Sequence, residues 1–329
     1  MNDAKRLREA AARQAVGDVV PKLAQVYELD GLRLAGVLPV TGRNVNAVLT
    51  DARAAPTYLA RCHLRNPSLD RIGFQLDFQE HLRANGLPVP GIIPTAAGER
   101  IATIEGASWV LFQHIAGAGY DPSSEIELRS AARSLNRFHE AGQTFAGIPV
   151  EDDTIPNLRQ WWTNGEIEIR ELESMFAGRD VEDDLAFLTQ WRERLTREFP
   201  LEVVDRLPTA WLHSDYHGDN LAFADGQVVG IFDFDVVHHS WRLDDIARAI
   251  YYFAREAAGS DVIRSSRATF FADSVGLTEL ERAALPAFLV AVHARTAARY
   301  RVREREGIDP VAALHQHVAR MRQIQAQIS

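Results

Sequence analysis

Two short stretches decide the fold of this chain: His213-Ser214-Asp215-Tyr216-His217-Gly218-Asp219-Asn220 and Ile231-Phe232-Asp233-Phe234-Asp235. An aspartate is followed by an asparagine five residues later, and a further aspartate stands thirteen residues after that asparagine. The segment between the stretches predicts a β-hairpin, because Leu221–Phe223 and Val228–Phe232 are apolar runs and Asp225-Gly226 is a strong two-residue turn signal. The hairpin brings the two polar stretches together.

The same turn sets the register of the predicted hairpin. It places Asn220 opposite Ile231 and leaves Asp233 two residues beyond the open end, on the side where Asp215 emerges. Because a strand rises about 3.3 Å per residue, these polar side chains can converge on one metal-sized site. Aspartate and asparagine are also common in turns for local backbone reasons, but the spaced set with its hairpin predicts a site.

The residue types suit the transfer of a phosphoryl group. Mg²⁺ prefers oxygen ligands and retains several waters, so Asn220 and Asp233 are candidate ligands that share the ion with nucleotide phosphates. Asp215 is the candidate catalytic residue, since it would face the incoming hydroxyl as a general base or positioning group. His213 is expected to brace the loop by hydrogen bonding. Asp235 is either a second metal ligand or a cap for the following turn.

These residues also resemble a known family. The run His213-Ser214-Asp215 with Asn220, followed by Phe232-Asp233-Phe234-Asp235, is similar to the motifs of the aminoglycoside phosphotransferase, choline kinase and type II homoserine kinase superfamily. Three flanking segments support the resemblance: Gly86-Leu87-Pro88-Val89-Pro90, Leu135-Asn136-Arg137-Phe138-His139 and Leu243-Asp244-Asp245-Ile246-Ala247.

The resemblance implies an α+β, protein-kinase-like two-lobe fold, with a small antiparallel β-sheet N-lobe and a larger, mostly helical C-lobe. We expect residues 1–115 to form the N-lobe, with an N-terminal helical extension and a nucleotide-binding role. Residues 116–329 would form the C-lobe, which carries the catalytic loop, the metal site and the acceptor pocket. In the resemblance, the aspartate at Asp245 anchors the catalytic loop and so has a supporting role.

The hydrophobic patterning agrees with these two lobes. In the first lobe it predicts one or two helices over 3–27, a helix over 69–85, and strands over 32–40, 46–50, 57–63, 93–95, 100–104 and 108–114. Apart from the catalytic hairpin, the second lobe is predicted to be helical, over 124–140, 157–177, 181–199, 243–257, 261–275, 278–305 and 309–327. Pro286 is expected to break or kink the helix that contains it.

Two loops of the predicted N-lobe are candidates for nucleotide binding. The turn after the first strand contains Thr41, Gly42 and Asn44 and could cover phosphates, although its single glycine fits an ordinary hairpin loop equally well. The last strand should lead into the interlobe hinge, where backbone groups near Gln113 to Ile115 would meet the base of ATP or GTP. A base held by main-chain groups requires no particular side chain.

The main departure from a kinase-like site concerns lysine. Such sites place a lysine on the third strand to hold phosphates, whereas this chain has only Lys5 and Lys22, both upstream of the sheet. Arg61 stands at the matching place. An arginine keeps its charge and can bind two phosphate oxygens, but Arg61 could also be a solvated strand residue. Gln75 occupies the helix position expected for the partner glutamate, so the usual ion pair is in doubt.

The composition narrows the function classes. With 329 residues, 46% hydrophobic and 25% charged, the chain suits two packed lobes of an ordinary globular protein. Its net charge of −9 argues against a nucleic-acid partner, and no apolar run approaches the roughly 18 residues of a membrane span. Cys62 is the only cysteine, which excludes intrachain disulfides and a thiolate metal cage. A charged N-terminus without an apolar signal core predicts a cytoplasmic location.

We therefore expect a kinase that depends on Mg²⁺ and ATP (or GTP) and phosphorylates a hydroxyl of a small molecule. The acceptor is open: an aminoglycoside or another antibiotic, choline and homoserine all fit the resemblance. Acidic clusters in the predicted C-lobe would suit a cationic acceptor, although ordinary surfaces also collect acids. These clusters are Glu166, Glu168, Glu171 and Glu173, and Asp180, Glu182, Asp183 and Asp184.

Two alternative functions stay open at this level. The missing lysine and glutamate would fit a pseudokinase that binds nucleotide without turnover. The pair formed by Asp215 and His217 would fit a metal-dependent phosphohydrolase, which would need further ligand clusters for which only His238 and His239 are candidates. The oligomeric state, monomer or homodimer, is not decided by the sequence.

Overall fold

The computed structural model describes residues 3–38, 44–53, 55–63, 68–148, 150, 158–257, 260–297 and 309–328. The chain divides into two units, Met1–Gly117 and Ala118–Ser329, and each has buried hydrophobic residues of its own. Within the described ranges, no helix is both long enough and apolar enough to cross a membrane.

The first unit is an antiparallel sheet with a helix on each face. Its helices are α1 (Asp3–Val26) and α2 (Leu69–Ala84), and its strands are β1 (Arg33–Val37), β2 (Asn44–Thr50), β3 (Pro56–His63), β4 (Ile92–Ile93), β5 (Ala102–Ile104) and β6 (Ala107–Gln113). The strand order is β1-β2-β3-β6-β4, and β5 also pairs with β6. Each element predicted for this part of the chain has a counterpart.

Alternation along β3 divides its side chains between the two faces of the sheet. Ala60 and Cys62 belong to the core that α1 covers, whereas Leu59 packs with Ile72 of α2. Arg61 has the parity of Leu59 and therefore lies on the α2 side. Because only 9% of Arg61 is exposed, the alternative of a solvated strand residue is wrong.

The second unit is mostly helical and contains two short strand pairs. Its helices are α3 (Glu125–Gly142), α4 (Leu158–Met175), α5 (Glu182–Glu198), α6 (Leu201–Val204), α7 (Arg242–Phe253), α8 (Ser265–Val275), α9 (Glu279–Ala297) and α10 (Pro310–Ile328). The antiparallel pairs are β7 (Thr209–Leu212) with β10 (His238–Trp241), and β8 (Leu221–Ala224) with β9 (Gln227–Ile231). The two polar stretches of the sequence lie between these strands.

Helix α3 illustrates how the sequence forms these elements. The hydroxyl of Ser124 accepts the backbone N–H of Glu127 at 3.2 Å and so caps the first turn. Apolar side chains spaced three and four residues apart then form a buried stripe, which consists of Leu128, Ala131, Ala132, Leu135 and Phe138. The stripe ends at His139, which is buried and hydrogen-bonded to Asp245.

The hairpin of β8 and β9 forms as predicted, but its register changes part-way. Ala224 pairs with Gln227 at the turn, whereas Leu221 pairs with Ile231 because the register shifts between Ala222 and Phe223. One extra residue on β9 is accommodated as a β-bulge. The prediction that Asn220 lies opposite Ile231 is therefore wrong: the carbonyl of Asn220 accepts the N–H of Phe232 at 3.0 Å.

The helices after the hairpin differ from the predicted pattern in two ways. Helix α9 is continuous through Pro286, so of the predicted break or kink the break does not occur. Proline removes one backbone hydrogen bond, but α9 packs against α7 and α10, and packing outweighs this local loss. The helices α7 and α8 are shorter than predicted, because Arg255 pairs with Ile263 in the connection between them. Residues 298–305 of the predicted helix lie outside the described ranges.

Candidate active site

Asp245 is the buried residue that organises the candidate catalytic loop, residues 213–220. Its Oδ2 accepts the backbone N–H of His213 at 2.8 Å and Nε2–H of His139 at 3.0 Å. Its Oδ1 accepts the backbone N–H of Ser214 at 2.8 Å. Burial alone would raise the pKa of Asp245, but these donors, with His139 foremost, lower it below its ordinary value. Asp245 is thus a charged, fully bonded carboxylate at the start of α7.

His213 links the catalytic loop to the end of the hairpin. Its Nε2 lies 2.9 Å from the carbonyl of Phe232, and its Nδ1 lies 3.3 Å from the backbone N–H of Asp215. These partners assign the proton to Nε2 and leave Nδ1 as the acceptor. Complete burial lowers the pKa of His213, which keeps the ring neutral. The bracing predicted for this histidine therefore consists of two defined hydrogen bonds.

Two residues reach their positions through left-handed backbone. Ser214 has φ of 65° and Asp233 has φ of 66°, a region that residues other than glycine rarely occupy. The strain at Ser214 is held by the hydrogen bond to Asp245, and Asp233 follows Phe232, whose N–H and carbonyl are both bonded. Such strain is typical of functional sites, where the surrounding bonds fix an unfavourable conformation.

Asn220 joins the candidate metal ligands to the candidate catalytic carboxylate. Its Nδ2 donates to the backbone carbonyl of Asp215 at 2.8 Å and to Oδ2 of Asp215 at 3.1 Å. Because both contacts use the amide nitrogen, the amide oxygen is the group left for a cation. A short 3₁₀ helix, Gly218–Asn220, delivers Asn220 to the start of β8.

Asp215 is an ionised carboxylate in a partly buried site. Its Oδ2 lies 3.5 Å from Nε2 of His217. Desolvation opposes ionisation, but the hydrogen bond and charge of His217, with smaller contributions from Arg248 and His213, lower the pKa of Asp215 to about 2. In return, the pKa of His217 is raised by Asp215 against the opposing effect of burial. His217 stands in the quoted motif, but the sequence gave it a role only in the phosphohydrolase alternative and none in a kinase.

The fold brings Asp215, Asn220 and Asp233 into one region. The carboxylates of Asp215 and Asp233 both act on the pKa values of His213 and His217. In the described part of the chain, no three side chains of the His, Cys, Asp and Glu types form a metal cage of their own. The amide oxygen and the carboxylates fit a hard cation that takes its other ligands from phosphates and water.

The nucleotide-binding candidates lie in the first unit. Arg61 is buried in β3, and Asn44 begins β2 opposite His63. Thr41 and Gly42 lie outside the described residues. The backbone N–H of Gln113 is bonded to Gly91 at 2.8 Å, so it is already used within the unit.

The other proposed backbone contact for the base lies after β6, and the position expected for the partner glutamate of Arg61 lies on α2. The backbone N–H of His114 is bonded to Thr57 at 2.9 Å, and Ile115 follows it, partly buried. On α2, Gln75 is buried, and two acidic residues on the same helix bind another arginine. These are Asp77 and Glu80, which lie 2.6 and 2.8 Å from Nη1 of Arg100.

The remaining polar candidates of the second unit have local partners. Asp235 is partly buried in the turn before β10. His238 lies 3.1 Å from Oγ of Ser214 through Nδ1, so it contacts the strained residue of the loop. The acidic clusters of α4 and α5 contain ion pairs of their own, such as Glu166 with Arg170.

Similarity to known proteins identifies the family of this chain. A family model described as the phosphotransferase enzyme family matches residues 39–285. The chain belongs to the phosphotransferase enzyme family. A homoserine kinase of Sinorhizobium fredii is 26% identical over 217 residues, a match that covers 66% of this chain and 62% of that protein. The match therefore spans less than two thirds of this relative's own length.

Two solved structures of small-molecule kinases resemble the whole chain. A microcompartment-associated aminopropanol kinase has a TM-score of 0.68 at 17% identity, with 94% of this chain and 96% of that chain covered. An amicoumacin kinase in complex with AMP-PNP and Ca²⁺ has a TM-score of 0.66 at 16% identity, with 97% and 96% covered. The prediction of an α+β, protein-kinase-like fold is confirmed, and so is the predicted membership of this phosphotransferase family.

Proposed function

We propose that this phosphotransferase moves the γ-phosphate of Mg²⁺-bound ATP, or GTP, to a hydroxyl of a small molecule, with homoserine as the first candidate acceptor. The observation that carries the proposal is the pair of hydrogen bonds from the amide of Asn220 to Asp215, at 2.8 and 3.1 Å. They join the candidate metal ligand to the candidate catalytic carboxylate. The homoserine kinases among the relatives support the acceptor, and the kinase solved with AMP-PNP and Ca²⁺ supports the nucleotide and a divalent cation.

Asn220 and Asp233 would hold the cation. Their amide and carboxylate oxygens are the donors that Mg²⁺ prefers, and Mg²⁺ commonly uses few protein ligands together with substrate phosphates. When bound, the cation neutralises charge on the transferred phosphoryl group. The protein would hold these two ligands in place by hydrogen bonds. Both backbone groups of Phe232, next to Asp233, are hydrogen-bonded, and the side-chain amide of Asn220 donates to Asp215. Asp235 stays a candidate for an additional ligand.

Asp215 would orient the acceptor hydroxyl. A carboxylate with a pKa of about 2 is a weak proton acceptor at neutral pH, so full removal of the proton before transfer is unfavourable. It is nevertheless a strong hydrogen-bond acceptor. Phosphoryl transfer depends mainly on alignment and charge stabilisation, and it needs little proton removal early in the reaction. We therefore assign Asp215 to positioning, with the proton passing to it late in the reaction.

The nucleotide would be held by residues of the first unit. Arg61 is the proposed phosphate-binding cation, since it stands on β3 at the place of the usual lysine and lies on the α2 side of the sheet. Thr41, Gly42 and Asn44 remain proposed phosphate contacts. For the base, Ile115 is a better candidate than Gln113, because the N–H of Gln113 already donates to Gly91.

The two alternative functions have less support. A dinuclear phosphohydrolase requires a cluster of metal-binding side chains, and none is present among the residues that the structure describes. A pseudokinase has no need to keep the hydrogen bonds between Asn220 and Asp215. Both alternatives make distinct predictions, since the hydrolase needs no acceptor and the pseudokinase shows no turnover.

The proposed function is tested by ADP and GDP release with Mg²⁺ across a panel of acceptors. The panel contains homoserine, choline, ethanolamine, aminopropanol, aminoglycosides and other hydroxylated antibiotics. We expect release that depends on the acceptor and falls at least about a hundredfold in Asp215→Asn. Asp225→Asn is the matched control, because Asp225 is an exposed turn residue with φ of 50°, which asparagine tolerates. Release that is independent of the acceptor, or equal in both variants, would contradict the proposal.

A further inference from the structure

One face of α7 extends from the anchoring carboxylate along the catalytic loop. Asp245, Arg248 and Tyr252 are spaced three and four residues apart, so they share this face. The N-terminal end of the face is fixed by the bonds from Asp245 to His213 and Ser214. Arg248 follows one turn later on the same side.

Arg248 is a buried guanidinium whose hydrogen bonds are incomplete within the protein. Only 9% of the residue is exposed, and its Nε and Nη2 atoms have no acceptor among the described residues. Buried donors without partners are destabilising, and more so when the group is charged. A bound anion would supply the missing acceptors, so Arg248 is suited to an anionic group of a ligand.

A second arginine is connected to the same region through aromatic rings. The guanidinium of Arg255 lies 5.2 Å from the ring centroid of Tyr252, and the Tyr252 ring lies 5.2 Å from the His217 ring. His217 in turn lies 3.5 Å from Asp215. The Nε atom of Arg255 also has no acceptor in the described part of the chain. Arg248 therefore acts on the candidate catalytic carboxylate directly, and Arg255 is connected to it through Tyr252 and His217.

The electrostatics of neighbouring groups agree with this placement. The charge of Arg248 is among those that lower the pKa of Asp215. Burial, followed by the positive charges around it, lowers the pKa of His293 to about 2, and Arg248, Arg255 and Arg320 all contribute. The acidic neighbours of Arg248 are Asp215 and Asp244, to which it gives no hydrogen bond through Nε or Nη2.

We propose that Arg248, assisted by Arg255, binds a carboxylate group of the acceptor while Asp215 orients the acceptor's hydroxyl. A guanidinium matches the planar geometry of a carboxylate and can bind both of its oxygens. The substrate class is then a hydroxy acid or hydroxy amino acid, rather than a purely cationic amino alcohol or aminoglycoside. This inference rests on the proposed phosphotransferase function and assigns its specificity.

The test compares L-homoserine with L-homoserine amide, which keeps the hydroxyl and the amine but lacks the carboxylate. In the wild type, kcat/KM should favour the carboxylate form by about 10- to 100-fold, the worth of a charged hydrogen-bonded pair. Arg248→Gln should remove this preference, mainly through KM, and Arg248→Lys should retain part of it. Arg133→Gln is the matched control, because Arg133 is exposed on α3.

Binding measured without nucleotide separates this inference from the proposed function. By calorimetric titration, L-homoserine should bind the wild type more tightly than its amide, and Arg248→Gln should bind both equally. If Arg248→Gln does not fold, Arg248→Lys and Arg255→Gln carry the comparison. An equal affinity for the two probes in the wild type would overturn the inference. An equal loss of kcat with both acceptors in Arg248→Gln would also overturn it, because such a loss indicates that Arg248 acts on the phosphoryl group. Phosphotransfer to acceptors without a carboxylate would leave the proposed function intact but contradict the specificity.

Discussion

Replacing Asp245 with asparagine should destabilise the protein and disable its catalytic loop. Asp245 is fully buried and accepts three hydrogen bonds, from the two backbone amides of His213 and Ser214 and from His139. An asparagine can keep the two bonds on one oxygen, but its NH₂ group then faces the N–H of Ser214. One charged-acceptor bond is worth about 1.5–3 kcal/mol, and the two retained bonds lose about half their strength. Relief of the buried charge offsets part of this, which leaves a net loss of about 3 kcal/mol.

For a unit of this size, about 3 kcal/mol corresponds to a decrease in Tm of roughly 6–12 °C. Thermal unfolding followed by circular dichroism measures it, with Asp225→Asn as the exposed control. The pKa of Asp245 is lower in the folded state than in the unfolded chain. Its contribution is therefore complete above the ordinary aspartate pKa of about 3.9 and is lost as the pH falls through the lower folded value. A Tm within about 1 °C of the wild type at pH 7, with unchanged turnover, would refute the anchoring role.

Three further predictions concern the loop and its metal. Gly218→Ala should lower kcat about tenfold or more by displacing the loop, because an added Cβ would lie 2.8 Å from Cβ of Tyr120; steady-state kinetics should show no such loss for Gly119→Ala, which has nothing within 4 Å. His217→Ala removes the main group that lowers the pKa of Asp215, so the acid limb of kcat/KM should move to higher pH; an unmoved limb would contradict the coupling. Chelation of divalent cations should abolish phosphotransfer, and added Mg²⁺ should restore it; activity in excess chelator would exclude the metal.

The local pattern of the chain was sufficient to predict most of the secondary structure. The Asp225-Gly226 turn and its flanking apolar runs predicted the hairpin, and the hydrophobic pattern over 124–140 predicted α3. The bulge in β9 was not predictable, because the turn sets the register only at its own end and a bulge depends on tertiary contacts. The uninterrupted path of α9 through Pro286 has the same origin, since packing against neighbouring helices overrides a local rule.

The residues of the candidate site were likewise only partly predictable from the sequence. Asp215, Asn220 and Asp233 were identified by their types and spacing, and these side chains do share one region of the second unit. Arg248 was missed, because an arginine in an amphipathic helix carries no signal until its face and burial are known. Arg248 lies three residues after Asp245, which places both on one face of α7. This spacing becomes informative only once the hydrogen bonds from Asp245 to the loop are known.

Transfer of the γ-phosphate to a hydroxyl is tested most directly by detecting the phosphorylated product. The purified protein is incubated with ATP, Mg²⁺ and L-homoserine, and the products are observed by ³¹P nuclear magnetic resonance. We expect a phosphate monoester formed in equal amount to ADP, absent with Asp215→Asn but present with Asp225→Asn. Release of inorganic phosphate without an ester would indicate a hydrolase. ATP that stays intact with every hydroxylated acceptor would contradict the assignment of Asp215, Asn220 and Asp233 to phosphoryl transfer.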